Sequence, residues 1–596
     1  MKADKLYLRL LAGAALTCLV SGVAYAEGGP AAEKPQTVKS PDVTSQRLDN
    51  ADKEMAEGNW ITHHGDLQGH RFSPLDQINK DTVKNLHVAW TMALGGIEGG
   101  GIWTHGGLEG TPLAENGYLY VTDGWGSVYK IDARGGKGTL IWKMDPKTDH
   151  DWAGAVACCG VDNRGAALYK DLVISHTLDG RLIATDKETG QVKWQRQVAN
   201  PDKGEVVTGA PLIVKNMAIT GVAGGEYGIR GWIAATDLDT QKEVWRTYTI
   251  PSKGEPGIET WKGNVNAEVA GGGATWVTGT FEPSTNTIYW GVGNPGPDWD
   301  NAFRPGDNLY TDSTLALDAD TGKIKWHFQQ TPNDPYDFDS VSENVIVDVD
   351  GKKLVLHANR NGIGYAMNRA DGKFEWAVPF VKQLTWTKGI NPQTGKPVEY
   401  DPKKDVQGYN IAPHRGQPFA DFCPGNMGGK NWPPTAYNPD LKLWYIPVIE
   451  SCNRVTIAPE KAIPAKSREF FTGGGPSQPV RITGSLTAID ATTGKVAGKY
   501  ETRFPDLGGV LATKDLVFSS EPNGEVYALD AKTLQKLWSF NTGGGVNAPP
   551  ITFEVDGKQY VAILVGMGGA WDKWFIDATP ELKTMQPGSM LYVFGL

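Results

Sequence analysis

One short pattern recurs along the chain and limits what it can become. An apolar run reaches an Asp or Asn, a turn follows, and a Trp arrives eight residues later. The copies are "LIATDKETGQVKW" (Leu182–Trp194), "IAATDLDTQKEVW" (Ile233–Trp245), "LALDADTGKIKW" (Leu315–Trp326), "YAMNRADGKFEW" (Tyr365–Trp376) and "YALDAKTLQKLW" (Tyr527–Trp538). They pair Asp186 with Trp194, Asp237 with Trp245, Asp318 with Trp326, Asn368 with Trp376 and Asp530 with Trp538. "VYKIDARGGKGTLIW" (Val128–Trp142) has a longer turn, and "LTAIDATTGKVAG" (Leu486–Gly498) places Gly498 where Trp would sit. Alternating apolar residues before a "DxxTG" turn read as a β-hairpin. A repeated hairpin cannot bury its own faces, so its copies must stack. The predicted fold is all-β, an eight-bladed β-propeller, because about eight blades fit and radial repetition leaves only short edges. "LHVAWTMAL" (Leu86–Leu94) is expected to join the last segment. The tryptophans should dock between blades, and active-site residues should come from turns at one end of the ring axis.

The surroundings of this ring follow from the N-terminus and the cysteines. Lys2, Lys5 and Arg9 precede a largely apolar stretch, Leu10 to Val23, and Ala24-Tyr25-Ala26 supplies small residues for cleavage. Residues 1–26 read as a secretory signal peptide, 27–50 as a flexible N-terminal segment and 51–596 as the propeller domain. A lipoprotein reading of "ALTC" is the weaker alternative. No later segment is apolar enough to span a bilayer, so a periplasmic protein is expected. Cys18 would leave with the signal, and Cys158, Cys159, Cys423 and Cys452 would remain. An even number in an exported chain favours two disulfides; Cys423–Cys452 would be an ordinary staple. Cys158 and Cys159 are adjacent, held about 3.8 Å apart at Cα where disulfides span about 4.4–6.8 Å. Either those thiols stay free, or a strained ring exists for what its surface touches. No Cys-x-x-Cys-His occurs, so no covalently attached haem is expected. The net charge of -10 disfavours nucleic acid as a partner.

Functional residues are expected where the chain departs from the repeat. "GLEGTP" holds Glu109, "VAGGEYGIRG" holds Glu226, "YWGVGNPGPDWD" holds Asn294, and "TPNDPYDFDS" holds Asp334, Asp337 and Asp339. Their oxygens suit a hard cation such as calcium, although on pattern alone they read more readily as solvated loop acids.

With these stretches together, the chain resembles the pyrroloquinoline quinone (PQQ)-dependent alcohol dehydrogenases, the quinoprotein subunits of methanol/ethanol dehydrogenase type. The similarity runs from "NWITHHGDLQGHRFSPLDQIN" (Asn59–Asn79) to "ILVGMGGAW" (Ile563–Trp571). It rests on the adjacent Cys pair followed by "NRG", and on "GGEYGIRG", "GNPGP" and "TPNDPYDFD". The resemblance implies that Cys158 and Cys159 form a vicinal disulfide against one face of PQQ, with Trp276 on the other face. It assigns cofactor contacts to Glu109, Arg164, Thr208, Arg360 and Asn547, and metal contacts to Glu226, Asn294, Asp337 and Asp339. Asp337 would accept the alcohol's hydroxyl proton while hydride leaves the carbinol carbon for the quinone. The metal would act as Lewis acid and Arg360 would steady charge on the quinone oxygen. Asp339 is the informative position, because calcium enzymes of the family usually carry a small neutral residue there and lanthanide enzymes an Asp. One lanthanide(III) ion is therefore expected, with Ca2+ as the alternative. A soluble cytochrome c would be the electron acceptor, and a homodimer is among the assemblies allowed. Ala223 stands where some relatives have a serine contacting PQQ. Ile449 and Leu507 replace an asparagine and a tryptophan found near the cofactor in methanol-type relatives, and these last two changes favour a roomier pocket. The rival readings are a non-catalytic propeller scaffold and a dehydrogenase for a sugar, polyol or aldehyde.

Overall fold

The computed structural model describes residues 40–263, 266–417, 419–457, 468–474, 477–571 and 576–596. The expected signal peptide and the start of the segment read as flexible lie outside these residues. Residues 40–50, the end of that segment, are ordered: Val43 is fully buried and pairs with Lys170, and Ser45–Asp49 is a short helix capped by Thr44. Among the described residues the strands form eight sheets of four or five strands and a separate two-stranded hairpin. The fold is an all-β propeller.

Most sheets are consecutive antiparallel meanders, as a hairpin repeat requires. Leu212–Val214, Met217–Gly221, Trp232–Asp237 and Glu243–Tyr248 form one of them, in chain order. One exception joins the ends of the chain. His87–Ala93 pairs antiparallel with Met590–Gly595 and so completes the last sheet, as expected of "LHVAWTMAL".

The repeat has a physical explanation at the seams. Asp186 Oδ1 accepts hydrogen bonds from the amides of Glu188 and Thr189 and from the Thr189 hydroxyl, and Asp530 does the same for Lys532 and Thr533. Each Asp thus closes its own turn. The Trp reaches the turn of the following sheet. The Nε1 of Trp142 donates to Lys187 O (3.2 Å), Trp245 to Ala319 O (3.0 Å) and Trp326 to Arg369 O (3.1 Å), each acceptor being the residue after the turn Asp or Asn. The turn glycine lies under the same indole. A Cβ on Gly190 would fall 2.7 Å from Trp142, and one on Gly322 would fall 2.4 Å from Trp245. Both glycines have left-handed backbone, φ 71° and 70°, so glycine is required twice over. Where Gly498 replaces the Trp, the next turn carries Leu534 instead of Gly, and a Cβ on Gly498 would lie 3.3 Å from its Cδ1. The seam is filled from the opposite side.

Candidate active site

Connections from around the ring converge on a cavity of about 680 Å³. Glu226 comes from the turn between Met217–Gly221 and Trp232–Asp237. Asp337 and Asp339 come from the loop before Asn344–Val349, and Arg360 from the turn after Lys352–Ala358. Glu109 and Arg164 break the expected pattern, since they stand on strands Gly107–Thr111 and Asp162–Tyr169, which pair in parallel.

One side of the cavity is an arginine-centred cluster. Arg164 lies 2.7 Å from Glu109 and 3.2 Å from Asp162, and donates to Thr208 Oγ1 at 2.7 Å. Asn547 Nδ2 donates to Glu109 Oε1 at 3.2 Å. The guanidinium sits between two indoles, 4.8 Å from the Trp276 centroid and 4.9 Å from that of Trp432. Burial pushes the Glu109 carboxyl up to about 8 despite Arg164. The Arg164 Nε is buried without an acceptor. A carboxylate-bearing guest would supply one.

The other side is crowded with carboxylates. Arg360 lies 3.0 Å from Asp339 and 3.4 Å from Asp337, and also donates to the Asp337 carbonyl at 3.1 Å. Asp339 accepts from Trp276 Nε1 at 3.2 Å and from the Asn294 backbone N–H at 2.9 Å. Asp337 has φ 63°, a left-handed conformation strained for a residue with a Cβ. Its loop is held by Asp334, whose carboxylate accepts from the amides of Tyr336 (2.9 Å) and Phe338 (2.8 Å). Burial first, then the charges of Asp298, Asp339 and Glu226, push the Asp337 carboxyl well above the usual range, with Arg360 opposing. Glu226 is raised by burial and by Asp339. Asp298 is raised by burial and by Glu226.

The arrangement calls for positive charge. Among the described residues no three His, Cys, Asp or Glu side chains converge as an ion cage would, because Arg360 holds the two aspartates of the loop. The donor chemistry nevertheless suits a hard cation: Glu226, Asn294, Asp337 and Asp339 all offer oxygens, and the repulsion that helps raise Glu226 and Asp337 is what such an ion would relieve.

The adjacent cysteines line the same cavity. The expected Cys158–Cys159 disulfide is not formed in this structure: the sulfurs are 2.7 Å apart, where a bond needs about 2.05 Å. The left-handed φ of 45° at Cys159 accompanies that approach. Cys423–Cys452 is a disulfide, as expected.

The family is decided by comparison with known proteins. Residues 60–382 match the family described as "Glucose/ethanol/alcohol dehydrogenase, beta-propeller domain". The quinoprotein alcohol dehydrogenase PedH of Pseudomonas putida is 38% identical over 567 residues, 90% of this chain and 91% of that protein. This chain belongs to the PQQ-dependent quinoprotein alcohol dehydrogenases. The lanthanide-dependent methanol dehydrogenase of Methylacidiphilum fumariolicum is 34% identical over 91% of this chain and 90% of its own length. A europium-containing methanol dehydrogenase superposes with a TM-score of 0.82 at 31% identity, covering 92% of this chain and all (100%) of that one. The quinohemoprotein ADHIIG of Pseudomonas putida does so at 0.85 and 33%, covering 94% and 83%. Residues 463–564 also match the family described as "Outer membrane protein assembly factor BamB".

Within this quinoprotein, the structure brings together every side chain named for cofactor and metal except Asn294, which lies just behind the wall. Ala223 and Leu507 stand on the wall, while Ile449 is fully buried in the apolar cluster with Leu507 and Met427. Sequence reasoning missed Asp162, Asp298, Asn431, Trp432 and Trp571, all on the lining. Asp162 is two residues before Arg164, and Asp298 lies inside the quoted "GNPGPDWD"; only their chemistry stood as a signal. Among the described residues no helix is long and apolar enough to cross a membrane.

Proposed function

We propose that this enzyme oxidises alcohols in the periplasm with PQQ and one lanthanide(III) ion, and passes electrons to a separate soluble cytochrome c. The observation that carries the reading is the surplus of carboxylates: Glu226, Asp298, Asp337 and Asp339 border a space in which Arg360 is the guanidinium at hand. A trivalent ion balances one more carboxylate than calcium does, and Asp339 is the added one. The signal peptide (1–26), a propeller domain of eight blades and the Cys158–Cys159 disulfide belong to the same reading, as does the lack of a covalent haem. The eight sheets support the blade count, and the 2.7 Å sulfur approach supports ring closure.

When bound, the quinone supplies the two-electron oxidant and the ion a Lewis acid. Arg164, Glu109, Thr208 and Asn547 would hold the cofactor's polar rim, with Trp276 and the cysteines at its faces. Glu226, Asn294, Asp337 and Asp339 would hold the ion. Burial, and then the charges of Asp298, Asp339 and Glu226, raise Asp337; a cation held beside it would favour the carboxylate, which would accept the alcohol's hydroxyl proton. Arg360, beside Asp337 and Asp339, would supply positive charge to the bound cofactor's edge. Leu507, Met427 and Trp571 make an apolar wall for the carbon chain.

The test is reconstitution with PQQ and either lanthanum or calcium, assayed over a panel of alcohols with an artificial acceptor. Turnover with lanthanum is expected. Turnover restored by calcium alone defeats the metal assignment, and no quinone binding at all defeats the enzyme reading in favour of a scaffold.

A further inference from the structure

Asp298 is absent from the ligand set the family suggests, yet it is 2% exposed, borders the cavity and touches a proposed ligand directly. Asn294 Nδ2 donates to Asp298 Oδ1 at 2.9 Å, and more weakly to Pro295 O at 3.4 Å. An ionised carboxylate only accepts hydrogen bonds, so Asp298 in that form, the one a neighbouring cation favours, fixes which end of the amide faces it. The Asn294 NH2 must point to Asp298, and Oδ1 must point away. It does: Oδ1 faces the Gly225–Glu226 turn, 3.9 Å from where a Cβ on Gly225 would be. Turned over, the amide would aim its NH2 at that turn and offer no oxygen to a cation.

Asp298 is itself held in place. Arg304, fully buried, donates through Nε to Pro297 O at 3.0 Å and through NH2 to Asp298 O at 3.2 Å. The same guanidinium reaches Asp334 O, the residue whose carboxylate shapes the Asp337 loop. The loop that carries Pro297 and Asp298 and the loop that carries Asp337 are thus tied to one buried group. From the first of them, the Asp298 carboxylate reaches Asn294.

We propose that Asp298 is a positioning residue for the ion. It locks the Asn294 carbonyl toward the Glu226 turn and adds a negative charge one hydrogen bond behind it. Partners of this kind fix ligand orientation and are worth about 10–100-fold in metal affinity. The inference rests on the metal reading above.

The experiment titrates the metal-free full-length protein with terbium(III), following emission sensitised by the nearby indole of Trp276, and records thermal midpoints without metal. Asp298→Ala is expected to weaken half-saturation by about 10-fold or more. Asp298→Asn, which is isosteric and can still accept through its oxygen, is expected to weaken it about fivefold, because a charge-assisted bond becomes a neutral one. Either variant, with the wild-type midpoint and terbium affinity within twofold of wild type, overturns the proposal. No sensitised emission from the wild type overturns the metal reading beneath it, which is a different result. Should Asp298→Ala not fold, Asp298→Asn decides alone.

Discussion

At the seams between sheets, indole meets glycine; in the central cavity, carboxylate meets carboxylate. The two regions are built from the same chain by opposite rules. Seams such as that at Trp245 satisfy their polar atoms locally: the Trp245 Nε1 finds Ala319 O, and the Asp318 carboxylate finds its own turn. The cavity keeps Asp298, Asp337 and Glu226 raised by burial and by each other. Stability accumulates in the repeated region and function in the one that resists repetition.

The sharpest way to break this contrast is Asp337→Asn. It should lower turnover by about 10²–10⁴-fold while the thermal midpoint holds or rises, because a like charge leaves a crowded site. A clearly lowered midpoint, read by calorimetry on the metal-free protein, would show that the cavity also carries the fold. The converse is Trp245→Ala, which removes an indole that is 8% exposed and should cost about 3–5 kcal/mol without changing quinone affinity. Denaturant unfolding and a cofactor titration on the same preparation check both halves.

The regions should also differ in their response to pH. Burial raises Glu109 to about 8 and Asp334 to about 7, so the folded, cofactor-free protein holds protons that the unfolded chain releases near pH 4. Bound protons are then more numerous in the folded state, and stability falls as pH rises from about 4 to about 8. Asp186 in a seam turn is lowered to about 2, with Lys193 and the Thr189 amide opposing its burial. Its contribution is present above pH 4 and is lost as pH falls toward 2. A midpoint profile between pH 3 and 9 should therefore decline on both sides. Loading PQQ and metal should flatten only the alkaline side.

The smallest effect expected is at the inverted seam. Gly498→Trp alone should destabilise, since the added indole meets Leu534. Adding Leu534→Gly should recover part of the loss, a coupling of about 0.5–3 kcal/mol. Strict additivity of the two in denaturant melts would mean that the seams do not share one packing rule.

The ring was legible because its information is local. Asp186, Thr189 and Gly190 interact within five positions, so the turn is written in consecutive letters, and Trp194 follows at a fixed count. The disulfide between Cys423 and Cys452 was legible from cysteine number. Glu226, Asn294, Asp337 and Asp339 were singled out because they interrupt the repeat and because the motifs around them resemble a known family. Asp298 and Trp432 escaped, although both lay in view, because nothing in their neighbouring letters shows what they face. The Arg164 partner Trp432 is 268 positions away in the chain, a separation no periodicity spans.

The sequence by itself determined the hairpins, their tryptophans and the acids that stand outside them, since turns and alternation are set by neighbours along the chain. Only the tertiary structure decided that Arg164 lies between Trp276 and Trp432, that Arg360 bridges Asp337 and Asp339, and that Asp298 turns the amide of Asn294. The first joins segments from across the ring, the second joins neighbouring loops, and the third depends on how one loop folds back over four positions. Electrostatic and hydrogen-bonding forces act through space over a few ångströms, whatever the number of residues between the groups.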